Sequence, residues 1–114
     1  MKLVIAIIQP DCLDQVREAL LAADIPRITA TRCSGRARPD ASPELFRGRA
    51  VAPTLEGRVR IEIVCNDEFV DPAIEAIVSG ARHGDGENGD GKVFVVPLER
   101  CVRIRTGESG PSAV

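Results

Sequence analysis

The chain has 114 residues, 44% of them hydrophobic, with a formal net charge of −2. That apolar share suits one cored domain and is too high for a disordered chain. The near-neutral charge leaves no basic footprint for nucleic acid, and the three aromatics, all Phe, exclude a base-stacking platform.

The opening run "KLVIAIIQ" (Lys2–Gln9) is continuously apolar and closes at Pro10. Its length and Val/Ile content predict a strand buried on both faces. The start is too short in apolar length for a signal peptide or a membrane span, so a cytoplasmic protein with reduced thiols and no membrane insertion is expected. "DCLDQVREALLAAD" predicts a helix with Leu13, Val16, Leu20 and Ala23 inward, Asp11 as its N-cap and Pro26 beyond its end. "RITATRC" (Arg27–Cys33) is rich in β-branched residues and predicts a second strand.

From Gly35 to Gly57 the periodicity collapses into a loop with three prolines, long enough to be functional or mobile. "RVRIEIVC" (Arg58–Cys65) alternates cleanly. Val59, Ile61, Ile63 and Cys65 take the core face, and Arg58, Arg60, Glu62 and Val64 the other. "DPAIEAIVSGAR" predicts a second helix, with Asp71 as N-cap, Pro72 at the first helical position and a buried stripe of Ile74, Ile77, Val78 and Ala81. The loop "HGDGENGDGK" (His83–Lys92) then leads into the apolar run "VFVVP", expected as a buried strand. A brief alternation at Val102–Arg105 predicts a short last strand with Arg103 and Arg105 on one side. The order is β-α-β-β-α-β, the ferredoxin-like α+β arrangement, as one domain over residues 1–114. Its two helices cover one sheet face, and a homo-oligomer would cover the other.

Chemistry-bearing residues are few. The Gly-rich loop allows backbone N–H groups to converge on an anion beside Lys92, with Arg103 and Arg105 as further donors. On composition alone, a solvated connection fits the loop as well. It is not a P-loop, because Val93 follows Lys92 and a strand follows Val93. The long-loop arginines Arg36, Arg38, Arg47 and Arg49 suit either a solvated loop or an arm that orders against an anionic ligand or partner. Cys12, Cys33, Cys65 and Cys101 form no close pair, so they are expected as partly buried structural residues, and no metal site is expected. His83, the only histidine, is expected as an ordinary surface or cap residue. No catalytic set is evident, and the chain is not expected to be an enzyme.

Four stretches carry a family resemblance: "KLVIAIIQP" with "LDQVREAL", "ELFRG", "GDGKVFVVP" and "RIRTGE". Together and in this order they resemble the PII signal-transduction proteins over nearly the whole chain. The resemblance implies a homotrimer of ferredoxin-like subunits that binds ATP, ADP or AMP in clefts between subunits. Magnesium is left open. A T-loop, here about residues 36–57, would dock on a target protein through Phe46, Arg47 and Arg49, and residues 106–114 would form a tail. By motif, Gly89, Asp90, Gly91 and Lys92 would cradle phosphates, with Arg103 and Arg105 from the same or a neighbouring subunit. Thr29, Gly35, Arg38 and Val64 would line the nucleotide pocket.

The departures from the family pattern set the finer expectation. Phe46 and Val51 stand where nitrogen-regulating relatives carry tyrosines, and the chain has no tyrosine. Pro39 replaces a glutamine that helps hold the metal of 2-oxoglutarate, and Arg58 replaces a lysine that pairs with that oxoacid. A guanidinium fork suits a small planar oxyanion, so Arg58 is the candidate for bicarbonate. The chain is therefore expected to be most similar to carboxysome-associated PII-like proteins, with a bicarbonate transporter or carboxysome-related protein as the target. The alternative is a nitrogen-regulatory PII protein that controls an ammonium transporter or an enzyme without tyrosine modification. Asp85 and Glu87, placed before the phosphate cradle, predict weaker binding of metal-free ATP than of ADP or AMP.

Overall fold

The computed structural model describes residues 1–36 and 55–114, together with the backbone of 45–46 and 49–50. Strand β1 (Lys2–Ile8) runs into a 3₁₀ turn at Pro10–Cys12 and helix α1 (Leu13–Ala22). Strand β2 (Thr29–Gly35) follows. A two-stranded ribbon, β3 (Leu45–Phe46) and β4 (Arg49–Ala50), lies within the long loop. Strand β5 (Glu56–Cys65), a 3₁₀ turn at Asp67–Phe69, helix α2 (Val70–Ala81) and strand β6 (Gly91–Pro97) complete the regular elements before a last 3₁₀ turn at Pro111–Ala113.

The main sheet has the order β2-β5-β1-β6. Every neighbouring pair is antiparallel, and both helices pack on one face. This is the ferredoxin-like topology that the element order predicts. The alternation in β5 sets the register. Val59, Ile61, Ile63 and Cys65 are buried with Val4, Ala6 and Ile8 of β1 beneath Val16 and Leu20 of α1 and Ile77 of α2. Burying each such Val, Leu or Ile side chain contributes about 1.5–3 kcal/mol.

The helices differ from expectation at their ends. Asp11 does not cap α1; Cys12 occupies the N-cap position, and no side chain caps it. The Asp11 carboxylate is instead taken up by Cys12 and His83. Asp71 and Pro72 fall inside α2, which starts two residues earlier than expected, because the 3₁₀ turn at Asp67–Phe69 leads directly into the helix. Helix α1 ends at Ala22, before Pro26 can act. Asp24 takes a left-handed φ of 63°, and the Ile25 N–H donates to the Leu20 carbonyl at 2.9 Å, a closure typical of helix C-termini.

The inner stripe of α2 is Ala73, Ala76, Ile77 and Ala81, with Ile74 and Val78 only half-buried. The reason is the close approach of α1. A Cβ on Gly80 would lie 2.8 Å from Val16 Cα, so small residues must face the other helix. Ile74 and Val78 are turned towards β6, where they line a cleft with Val93.

Strand β2 begins two residues later than expected and runs on to Gly35, which pairs with Glu56. Strand β6 is not a buried strand. It is a sheet edge, and Phe94, Val95 and Val96 remain 38%, 36% and 40% exposed. Val64 is also exposed on β5, and Ile104 in the C-terminal segment is fully so. An apolar edge of this kind needs a partner, and the trimeric assembly of the fold fits that need. The short last strand does not form. Residues after Pro97 make a tight reversal around the single bridge Val102–Ser109, in which the Arg103 N–H donates to the Glu108 carbonyl at 2.8 Å.

Candidate functional site: a basic cleft at one end of the sheet

At the end of the sheet where β2 stops and β5 and β6 begin, a cleft of about 570 Å³ opens. Its walls include Gly35, Arg36, Arg58, Arg60, Gly89, Gly91 and Lys92. Strand register explains the gathering. Lys92 pairs with Ile7, and Ile7 with Arg60. Direct partners share a face of a pleated sheet, so the lysine and the arginine project on the helix-free side. Arg58 lies two residues before Arg60 on that same face.

Arg58 is 7% exposed. Its Nη1 donates to the Gly57 carbonyl at 2.8 Å and its Nη2 to Glu56 Oε2 at 3.1 Å. Its stem passes Gly35, where an added Cβ would sit 3.7 Å from Arg58 Cγ. The expected oxyanion receptor is thus already engaged by its own strand. Arg60 pairs with Glu62 through Nε at 2.8 Å. The cleft is cationic, with backbone amides of a Gly-rich segment at its rim, and such a lining suits a polyphosphate.

The GDGK segment is shaped by Gly91 and Asp90. Gly91 has φ 109°, and a Cβ there would run into the Ile7 carbonyl. Only glycine lets β6 start so close over β1. Asp90 turns its carboxylate back into the loop. Its Oδ2 accepts the N–H groups of Glu87 at 2.8 Å and His83 at 3.2 Å, and its Oδ1 accepts from His83 Nδ1 at 2.6 Å. These contacts, the Glu87 N–H foremost, hold the Asp90 carboxyl below its usual pKa range. Gln9 Nε2 donates to the Gly89 carbonyl at 2.7 Å and ties the loop to the end of β1.

Of the other predicted pocket residues, Gly35 lines the cleft, and the rest lie elsewhere in the subunit or outside the described residues. Thr29 and Gly35 occupy opposite ends of β2, about 20 Å apart at the rise of an extended strand. Val64 is near the far end of β5, paired with Leu3. Arg103 folds onto the tail, with Nη1 3.3 Å from Glu108 Oε2 and Nη2 donating to the Ser112 carbonyl at 3.2 Å. Arg105 is exposed in the same reversal. Neither arginine lines the cleft, and they share no strand face. Arg38 and Arg47 lie outside the described residues, and for Phe46 and Arg49 the backbone alone is described. Within one subunit, Thr29 and Val64 thus lie towards the end of the sheet opposite Lys92.

The family model of the nitrogen regulatory protein P-II matches residues 1–108. The chain belongs to the P-II family. It is 44% identical to the nitrogen regulatory protein GlnK1 of Methanosarcina mazei, with 100% of this chain and 97% of that protein covered. It is 45% identical to the nitrogen regulatory protein P-II of Cereibacter sphaeroides and 46% identical to that of Azospirillum brasilense, each with both chains fully covered. These relatives are named as nitrogen regulators, not as carboxysome-associated proteins. The expected likeness to the carboxysome group is corrected accordingly.

This P-II protein also carries a cluster that its sequence conceals. Cys12 Sγ donates to Asp11 Oδ1 at 3.3 Å and lies 3.4 Å from His83 Nε2, which is 3.3 Å from Asp11 Oδ2. Burial and the adjacent Asp11 push the Cys12 thiol up to about 11. Asp90 and then Asp11 raise the His83 pKa above its ordinary value. The series Cys12–His83–Asp90 has the connectivity of a nucleophilic triad. The thiol is only 5% exposed and stays protonated, which disfavours that use. Nothing in sequence spacing pairs residues 71 apart. The signal available was topological: α1 starts where α2 ends, because the two helices run antiparallel across the sheet.

Proposed function

We propose that this P-II protein is a regulator of nitrogen metabolism that responds to adenine nucleotides. A nucleotide sits between subunits, and its phosphates lie against Gly89, Gly91 and Lys92 in the basic cleft. Asp90 holds the loop in shape. Thr29 and Val64, with Arg103 and Arg105, come from the far end of a neighbouring subunit in a homotrimer. The T-loop reports the ligand to a protein target such as an ammonium transporter or an enzyme, in the cytoplasm.

The cleft carries this reading. It gathers a glycine-rich rim, Lys92 and Arg58 at one sheet end, while the other residues of the motif lie too far away to serve the same subunit's ligand. The exposed apolar residues of β6 favour the oligomer that would unite the two halves. The names of the relatives favour nitrogen control over the carbon-uptake reading. Because the chain has no tyrosine, the signal runs through ligand and T-loop alone. Among the described residues, no helix is long and apolar enough to cross a membrane.

Isothermal titration of ATP, ADP and AMP, with and without 2-oxoglutarate and bicarbonate, tests the proposal. Binding on the order of micromolar (about −8 kcal/mol), insensitive to bicarbonate at fixed pH and ionic strength, is expected. Failure of every adenine nucleotide to bind would overturn it. Bicarbonate-dependent affinity would return the carbon reading.

A further inference from the structure

The loop that carries the phosphate cradle begins at His83, and His83 faces two residues from the start of α1. We propose that Asp11, Cys12 and His83 form a zinc-class metal site that fastens the Gly-rich loop to the helical layer. The ligands are a carboxylate oxygen, a thiolate sulfur and an imidazole nitrogen, and a fourth position opens to water.

Geometry carries the assignment. The three donor groups lie within 4.8 Å of one another. Their shortest separations are 3.3, 3.4 and 3.3 Å. Zinc bonds of about 2.0–2.3 Å in a tetrahedron require ligand–ligand edges of about 3.3–3.8 Å. The set therefore stands close to the spacing that a bound ion would impose. The two Asp11 contacts use different oxygens, Oδ1 towards Sγ and Oδ2 towards Nε2, so the carboxylate must turn for one oxygen to bind the ion.

The second observation is independent of the ligand triad. His83 Nδ1 donates to Asp90 Oδ1 at 2.6 Å. A carboxylate behind the imidazole fixes its tautomer and leaves Nε2 as the metal-facing atom. Asp90 is fixed in turn by the N–H groups of Glu87 and His83. The ring is thus aimed before any ion arrives.

The donor set also selects the ion. Sulfur and imidazole nitrogen favour zinc over magnesium or calcium, which prefer oxygen alone. Access is available from one side, since the Asp11 side chain is 72% exposed and that of His83 31%. On binding, the S–H bond of Cys12 breaks and a metal–sulfur bond forms. The proton leaves to solvent, as does any proton on His83 Nε2. No oxidant or reductant is required.

The ion would link the 3₁₀ turn that leads into α1 to the loop that ends at Lys92. This goes beyond nucleotide sensing and does not depend on it, so the test is run without nucleotide. The metal-free, reduced full-length protein is titrated with Co²⁺ and then with Zn²⁺. One Co²⁺ per chain is expected, with tetrahedral visible bands and a thiolate-to-cobalt band that Zn²⁺ removes. Cys12→Ala and His83→Asn should each abolish the thiolate band, while Cys101→Ala keeps it. Circular dichroism of each variant confirms that it is folded; His83 is partly exposed, and its replacement leaves the core intact. Asp90→Asn should weaken Zn²⁺ binding about 10- to 100-fold. Absence of a thiolate band in the wild type, or its persistence in Cys12→Ala or His83→Asn, would overturn the site.

Discussion

His83 and Asp90, seven positions apart in the chain, are joined by a 2.6 Å contact between Nδ1 and Oδ1. The contact ties the end of α2 to the start of β6. It makes Asp90 the organiser of the Gly-rich loop, although its place in the GDGK motif suggested direct contact with phosphate. Replacing Asp90 by Asn removes the charge that gathers the N–H groups of His83 and Glu87. The expected result is a folded protein whose nucleotide affinity falls on the order of tenfold, because the loop must then be ordered during binding. Titration calorimetry checks the affinity, and thermal unfolding checks the fold. Unchanged affinity would mean that the loop does not depend on Asp90.

Gly91 is fixed by the sheet rather than by a ligand. Its left-handed φ and the nearby Ile7 carbonyl leave no room for a side chain. Gly91→Ala should destabilise the protein by about 1–3 kcal/mol from backbone strain alone, with the clash in addition. Urea denaturation measures the loss. A variant as stable as the parent would show that β6 can start elsewhere.

The core under α1 makes a quantitative prediction. Leu20 is fully buried among Val16, Ile77 and the sheet. Leu20→Ala should cost about 2–5 kcal/mol, read as a fall in denaturation midpoint with an unchanged slope.

Much of this core was legible in the sequence. The alternation of Val59, Ile61, Ile63 and Cys65 gave the buried face of β5, and Val16 and Leu20 gave that of α1, because period 2 and period 3.6 report burial directly. The inner stripe of α2 was misjudged at Ile74 and Val78. Hydrophobicity favours the larger residues inward, but the close approach at Gly80 admits only small ones. Strand β6 looked buried because it is apolar, but it is a sheet edge whose Phe94, Val95 and Val96 stay partly exposed in the single chain. The shape of the Gly-rich loop was legible as a motif, since local sequence forms it. The Asp11–Cys12–His83 cluster was not, because only the tertiary fold joins its parts. The arginines of the tail were misplaced because four alternating residues resemble a strand, whereas Gly107 and Gly110 at positive φ turn the chain back.

The exposed apolar residues predict the assembly. Ile104 is fully exposed and Phe94 is 38% exposed in one chain. Phe94→Asp with Ile104→Asp should leave the subunit folded and shift sedimentation from trimer towards monomer. A wild-type protein that sediments as a monomer would contradict the shared site.

The acidic first half of the Gly-rich loop predicts ligand preference. Asp85 and Glu87 place two carboxylates before the cradle, and like charge disfavours the most highly charged phosphate tail. Asp85→Ala with Glu87→Ala should raise affinity for metal-free ATP more than for AMP. Equal changes for both nucleotides would remove electrostatics as the cause. The Asp90 contact to the Glu87 N–H does not require the glutamate side chain, so the loop should keep its shape.

The central claim is that the cleft beside Lys92 holds the phosphates of an adenine nucleotide. Titration of ADP into the wild type and into Lys92→Ala tests it most directly. Loss of one charge-assisted contact costs about 1.5–3 kcal/mol, so the account predicts one ADP per subunit and about a 10- to 150-fold weaker affinity in the variant. Equal affinity in the two proteins, or no binding to the wild type, would contradict it.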